Sequence, residues 1–210
     1  LRRACEQKTE FPFGDIHSDV SAVSLYFGFP QWLTQKLIDE FGFDSAFHFM
    51  ENSNCSAPLF FIINQAHANG PQTLKSLVNQ GIKIFPLPRI QQKDCGLSCF
   101  LFARRSDVGN EFVIDLLRKG SLAISDGAAQ KVASLAVPDC FPDRFLEIGA
   151  GRGTKSLLLQ NVALSRFGKQ MALDTLDVDQ SRTKERISRL KQADIVQNEV
   201  FCQDATHLSH

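Results

Sequence analysis

The spacing of apolar and polar positions divides the chain into three stretches of different character. From Asp19 to Phe49 apolar residues recur at helical intervals: Val20, Val23 and Leu25, then Trp32-Leu33, Leu37-Ile38 and Phe41. Pro30 suits the entry of a helix over 31–40, and a further short helix is expected over 43–50, before a polar loop at 51–56. Ahead of this, residues 1–10 read as the tail of a helix ended by the Pro12 and Gly14 punctuation. Short strand-like runs then take over at 59–64, 82–85 and 98–104. A helix at 71–80, closed by Gly81, lies between the first two. A helix over 109–117 ends near Gly120, and Asp126 is placed to cap a helix over 127–136. In the last stretch three apolar runs, 144–148, 173–177 and 195–201, alternate with helical segments at 154–163 and 182–192. Ile187 and Leu190 are expected to face inward from the second of these helices. Strand and helix alternating in this way predict a parallel sheet with helical crossovers.

The turn between the first of those strands and its helix carries the most chemistry. Residues 144–156 read Arg-Phe-Leu-Glu-Ile-Gly-Ala-Gly-Arg-Gly-Thr-Lys-Ser, an apolar strand with the acid Glu147, then Gly149, Gly151 and Gly153 at alternate positions. Glycines let such a turn take positive φ and let a ligand lie against bare backbone. The free N–H groups of the following helix favour an anionic ligand group. The next strand also ends in acid, Asp177 followed by Asp179, where a carboxylate can take both hydroxyls of a ribose. Counted from Gly153 the spacing is 177 − 153 = 24 residues. The Gly-x-Gly-x-Gly form fits the adenosyl-methionine version of this turn better than the dinucleotide version. A third strand leads to Gln203-Asp204-Ala205, with Asp204 at the position expected for the adenine amino group. Asp174 is read as a solvated turn residue. The repetition of an acid at three successive strand ends beside one glycine turn is what singles out Glu147, Asp177 and Asp204.

Composition narrows the classes of function. The 210 residues carry 23 basic and 23 acidic side chains, so no global charge draws the chain to nucleic acid, and an RNA contact must rest on a local patch. The six cysteines show no disulfide-scaffold spacing, and no secretory signal or membrane-length apolar run is present in the 210 residues. A reduced, cytoplasmic setting is expected. Cys95 and Cys99 lack the second pair or nearby histidine of a zinc site, so no metal is expected; His17, His48 and His67 read as surface or structural residues. Phe60, Phe61, Phe100 and Phe102 have the shape to stack on bases but are read first as core. Arg104-Arg105 is open between a phosphate contact and a solvated pair.

Several separate stretches resemble one family, the Sun/Fmu (RsmB-like) rRNA cytosine-5 methyltransferases. Phe27-Gly28-Phe29-Pro30-Gln31-Trp32-Leu33 resembles the family's Tyr-Ser-x-Pro-x-Trp-Leu. Residues 58–64 resemble its Pro-x-x-x-Arg-x-Asn strand, with Ile63 in the arginine's place. Residues 120–130 are similar to its Gly-x-x-x-x-Gln-Asp-x-x-x-Gln, through Ser125, Asp126 and Gln130. The order and spacing of these matches span nearly the whole chain. The resemblance implies an α/β fold, a Rossmann-like adenosyl-methionine-dependent methyltransferase domain that is incomplete here. A small α+β RNA-binding module and N-terminal helices precede it. The divisions expected are 1–56 (N-terminal helical segment), 57–115 (small α+β RNA-binding module) and 116–210 (first half of the methyltransferase domain), in a chain cut at both ends. S-adenosyl-L-methionine is the implied cofactor, held by Glu147, Gly149, Ala150, Gly151, Gly153, Lys155, Asp177 and Asp204. RNA, and specifically small-subunit rRNA, is the implied partner, with no membrane and no metal.

One departure concerns the turn itself. The family's usual form is Cys-Ala-Ala-Pro-Gly-Gly-Lys-Thr, whereas residues 149–156 read Gly-Ala-Gly-Arg-Gly-Thr-Lys-Ser, with Lys155 in register. The family activates cytosine by adding a cysteine thiolate to carbon-6, which makes carbon-5 nucleophilic. Its two cysteines lie in Pro-Cys and Cys-Ser motifs on later strands, and neither motif follows the glycine turn here. Cys140 and Cys202 are therefore read as structural, and no catalytic residue is assigned. Two other readings remain open: a binding module that holds cofactor or RNA without turnover, and a methyltransferase for a small molecule or protein. The module at 57–105 counts against the second. A nicotinamide dehydrogenase ranks below both.

Overall fold

The structure is a computed structural model that describes residues 14–86 and 99–207. The expected helix tail at 1–10, Cys5, Cys95 and His210 lie outside the described residues. The chain folds as two compact units, 1–57 and 58–210.

The first unit is three helices, α1 (Val20–Phe27), α2 (Gln31–Phe41) and α3 (Phe43–Asn54). Asp19 caps α1 by accepting from the Ser21 N–H, and Gly28 closes it in the left-handed conformation. Val23, Phe27, Ala46 and Met50 form its core, with Phe43 and Phe47 packed against them. Helix α3 continues through most of the expected 51–56 loop, because the polar side chains there bond back to their own helix. The Ser53 hydroxyl donates to the Phe49 carbonyl, and His48 contacts Glu51.

The second unit contains two sheets. The antiparallel sheet has the order β2-β3-β1-β4, built from β1 (Phe60–Ile63), β2 (Ile84–Pro86), β3 (Cys99–Phe102) and β4 (Leu122–Ile124). Helices α4 (Gly70–Asn79) and α5 (Glu111–Lys119) accompany it. Alternation along β1 sends Phe61 and Ile62 into different cores. Phe61 joins Leu77, Phe102, Val113 and Leu122, whereas Ile62 joins the core of the parallel sheet with Ala123. Phe61 and Phe102 are core residues with Phe100 packed against them, Phe61 stacking on Phe100 at 5.5 Å between centroids, whereas Phe60 is half-buried. Strand β4 lies past residue 115 and yet pairs with β1. At three residues it is too short for a strand period to mark it in the sequence.

The parallel sheet has the order β5-β6-β7, from β5 (Phe145–Ile148), β6 (Leu173–Leu176) and β7 (Val200–Phe201). Helix α6 (Gly127–Ala136) precedes β5, α7 (Thr154–Phe167) joins β5 to β6, and α8 (Gln180–Gln192) joins β6 to β7. Asp126 stands at the N-cap of α6, but its side chain makes no capping bond. The centre of α7 is buried on every side from Ser156 to Ala163, as expected of a helix enclosed between a sheet and neighbouring elements. Ile187 is a correction: it is 42% exposed, and Leu190 alone of the expected pair is buried. Helix α8 turns a narrow face inward (Thr183, Arg186, Leu190), and Ile187 falls one position beyond it.

Asp174 is a second correction. It sits in β6, only 4% exposed, because residues from both flanking strands close over it. Its Oδ2 accepts from Arg144 Nε and Nη2 at 3.0 and 2.7 Å, and its Oδ1 from Asn198 Nδ2 and the Glu199 N–H at 2.7 and 3.0 Å. Burial pushes this carboxyl up, but the donors from Asn198, Arg144 and Glu199 outweigh it and hold the folded value below the ordinary one. Stability from Asp174 is therefore present above its unfolded pKa and is lost as pH falls through the depressed folded value. Asp174→Asn should cost about 2 kcal/mol at neutral pH and flatten the acid limb of a urea-midpoint-versus-pH curve. An unchanged acid limb would show that these four bonds carry no charge dependence.

A buried polar seam joins the two sheets. Asn64, fully buried at the end of β1, donates through Nδ2 to the carbonyls of Gly120 and Ala193 at 2.8 and 2.7 Å. Its Oδ1 accepts from the Ala66 N–H at 3.0 Å and from Asn161 Nδ2 at 3.1 Å. Asn161, on α7, in turn accepts the Gln65 N–H at 2.7 Å and donates to Leu157 O at 2.8 Å. Both N–H donors of each amide are used, as are both acceptor positions of Asn64 Oδ1 and one of Asn161 Oδ1. Beside them Gly120 closes α5 at φ +75°, and a Cβ there would lie 2.6 Å from the Ala193 Cβ and 2.7 Å from its Cα.

Candidate cofactor-binding site

Parallel pairing puts the carboxyl ends of β5, β6 and β7 side by side: Ile148 is level with Leu176, and Leu176 with Phe201. The loops that leave these ends enclose a crevice of about 400 Å³. Ile148, Gly149 and Gly151 line it from the first loop, and Leu176, Asp177 and Val178 from the second, with Arg182 above them. Gln203, Asp204 and Ala205 close it from the third. This is the place where open α/β sheets hold ligands.

The glycine turn is held from both sides. Gly149, Gly151 and Gly153 all have positive φ (73°, 53° and 81°), which side-chain-bearing residues adopt only with strain. The N–H groups of Gly149 and Ala150 both donate to the Leu176 carbonyl at 2.8 and 3.1 Å. The Gly151 N–H donates to Asp177 Oδ2 at 2.7 Å, while Asp177 Oδ1 takes the Asp179 N–H at 2.9 Å. These N–H donors from Asp179 and Gly151 hold the Asp177 carboxyl below its ordinary range. Each of its oxygens retains a further lone pair. Asp179 caps α8, accepting from the Arg182 N–H at 3.0 Å.

Four of the expected residues, Gly149, Gly151, Asp177 and Asp204, meet in this crevice. Asp204 is exposed at the rim, where the N–H and hydroxyl of Thr206 hold its carboxyl down. Glu147 and Lys155 lie elsewhere: they line a smaller pocket of about 180 Å³ with Phe145, Leu146, Leu159 and residues of α6. Glu147 is buried beneath the turn, its Oε2 accepting from the Ser156 hydroxyl at 2.6 Å. Burial pushes its carboxyl up, against the Ser156 hydrogen bond and the charges of Arg186 and Lys155, with Asp177 adding to the rise. Gly153 serves as the N-cap of α7, and Ala150 is buried in the turn.

The residue that sequence reasoning missed is Arg186. Its side chain is fully buried beneath the turn, and its Nη1 donates to the Gly151 carbonyl at 3.0 Å. A Cβ on Gly153 would sit 2.9 Å from the Arg186 Cγ, so the missing side chain of that glycine makes the room for it. The available signal was its position seven residues past Asp179, one helical repeat into the helix that leaves the acidic strand end. Cys140 and Cys202 are both exposed; the Cys202 thiol faces the Val178 carbonyl at 3.8 Å. Among the described residues no group of three or more acidic, histidine or cysteine side chains is arranged to hold a metal. No helix among them is long and apolar enough to cross a membrane.

No family model matches the sequence, and no curated protein matches it at a significant level. Solved structures do resemble it. The crystal structure of PH0851 superimposes with a TM-score of 0.68 at 17% identity, covering 93% of this chain and 41% of its own. A methyltransferase homologue from Pyrococcus horikoshii gives 0.64 at 16% identity, covering 87% and 55%. NSun6 from Pyrococcus horikoshii, crystallised with SFG, gives 0.63 at 11% identity, covering 84% and 66%. The chain thus spans less than two thirds of the length of each of these structures. Over most of its length this chain has the mixed α/β fold of these structures, the methyltransferase homologue among them.

Proposed function

We propose that the crevice binds S-adenosyl-L-methionine and that the chain is the cofactor-holding part of an RNA methyltransferase, with cytosine carbon-5 of rRNA as the target. The observation that carries the cofactor reading is the convergence of a three-glycine turn with Asp177 and Asp204 at adjoining carboxyl ends of a parallel sheet. The donor set fits the group. Asp177 presents acceptors suited to ribose hydroxyls, Asp204 an acceptor suited to an adenine amino group, and Ile148, Leu176 and Val178 an apolar wall for a flat base. The SFG bound to NSun6 is an adenosyl-methionine analogue, which supports the same assignment. When bound, the cofactor would supply an electrophilic methyl group. The protein's own contribution is to grip its nucleoside through Asp177 and Asp204 and to offer bare backbone at Gly149 and Gly151. Residues 57–115 are assigned to RNA on the resemblance described above.

Calorimetric titration of adenosyl-homocysteine tests the cofactor reading. The wild type should bind, and Asp177→Ala should weaken binding by about 1.5–3 kcal/mol, the worth of hydrogen bonds to a charged acceptor. Equal affinities for the two proteins would mean that the ribose is held elsewhere.

A further inference from the structure

We propose that Arg186 is a positioning residue for this crevice, a fully buried cation that fixes the glycine turn through the Gly151 carbonyl, next to the acids Glu147 and Asp177. The inference rests on the adenosyl-methionine reading of the crevice. Helix α8 is otherwise strongly polar on its outer face: Arg182, Lys184 and Glu185 are exposed, whereas Arg186 is fully buried. A guanidinium in that position carries a large desolvation penalty unless it has a partner. One donor is spent on Gly151, and Nε and Nη2 have no partner in the structure; the Glu147 Oε1 nearby is also without one.

The charges around it are few. Arg186 is faced by Asp177 from the end of β6, Glu147 from β5 and the Cys202 thiol beyond β7. Glu147 is faced by the Ser156 hydroxyl and Lys155 from α7, by Arg186 from α8, and by Asp177. Asp177 is faced by Arg186 and Arg182, and by the N–H groups of Gly151 and Asp179. Lys155 is exposed and screened by water, so Arg186 is the buried positive charge available to Glu147. Removing it would leave a buried carboxylate beside a second carboxylate, and Glu147 would take up a proton. The Gly151 carbonyl would lose its donor in the same step, and the turn would lose its lower anchor. Arg186 thereby sets both the ionisation of the acid beneath the turn and the aim of the turn's own N–H groups.

Two variants separate charge from shape. Arg186→Met removes both the cation and the donor; Arg186→Lys keeps the cation and loses the planar fork. Adenosyl-homocysteine affinity is measured against pH for each, and the Glu147 side-chain carboxyl is titrated by NMR in the ligand-free proteins. Arg186→Met should bind at least about tenfold more weakly at pH 7, a loss of one charged hydrogen bond. Its acid limb of binding and its Glu147 titration should both move up by about one pH unit or more. Arg186→Lys should keep the Glu147 titration near wild type while remaining weakened in affinity. A role confined to packing would lower the melting temperature of Arg186→Met and leave the Glu147 titration and the pH profile in place, which overturns the proposal. Should Arg186→Met not fold, the paired variant Arg186→Met with Glu147→Gln decides: recovery of folding supports the charge pairing, and failure refutes it. Absence of binding by the wild type would count against the cofactor reading alone, because the ligand-free Glu147 titration still tests Arg186.

Discussion

Asn64→Ala should lower the unfolding free energy of the second unit by about 3–5 kcal/mol. Removing the amide strands two buried carbonyls, those of Gly120 and Ala193, and deprives the Ala66 N–H and one Asn161 donor of their acceptor. Each unpaired buried group costs about 1–3 kcal/mol, and a small side chain cannot replace any of them. Domains of this size are stable by about 5–15 kcal/mol, so the loss is a large fraction of the whole. Urea denaturation should show a lower midpoint with an unchanged slope. Asn64→Asp should give no rescue, because a carboxylate would face two carbonyl oxygens. In a double-mutant cycle, Asn64→Ala and Asn161→Ala should fall short of additivity by about 1 kcal/mol or more, since they share a bond. Strict additivity would mean that the two asparagines act separately.

Gly120→Ala is the other large effect, about 3 kcal/mol or more, from two sources that add. The residue closes α5 at φ +75°, where an L side chain costs about 1–2 kcal/mol. Its new Cβ would also meet Ala193 at 2.6–2.7 Å, and one of the atoms it meets is backbone, which no rotamer change can move. Relief requires α5 to draw back from the start of the loop at Ala193, which pulls the Gly120 carbonyl away from Asn64. Thermal melting should show the loss, and the Gly81→Ala variant provides the contrast. That glycine also has positive φ, but its Cβ would meet nothing within 4 Å, so only the backbone strain should register. Equal losses at the two positions would remove the steric part of the argument.

The parts of the fold that were legible in the sequence are those decided by neighbours along the chain. Phe-Leu-Glu-Ile before three alternate glycines identifies β5 and its turn, and Leu173–Leu176 ends in acid at the register that parallel pairing requires. What escaped reading is decided by neighbours in space. Asp174 lies within β6 and resembles a solvated acid until Arg144 and Asn198 arrive from adjoining segments to cover it. Strand β4 has three residues, too few for any period to show, and becomes a strand only by pairing with β1. Arg186 sits in a helix dense with charge, where the default expectation is water; the space that buries it is made by Gly153, thirty-three residues earlier (186 − 153). Glu147 illustrates the same limit within the site. Its strand-end position was readable, but the side of the turn to which it points was not, and it lies under the turn with Ser156 rather than in the crevice.

The asparagine seam also has a consequence for the order of events during folding. It ties Asn64 to Ala193, 129 residues apart in sequence, and to Asn161, 97 residues apart. Closing loops of that length carries an entropy cost that must be met before either contact returns any energy. Local pieces such as α7 with its flanking turns can form early, whereas the seam closes late, when both sheets are already in place. Folding of the second unit is therefore expected to be slow for its size and to finish at Asn64. Seam variants should act mainly on the unfolding rate, so that the amide pair serves as a latch on how long the native state lasts rather than on how fast it is reached.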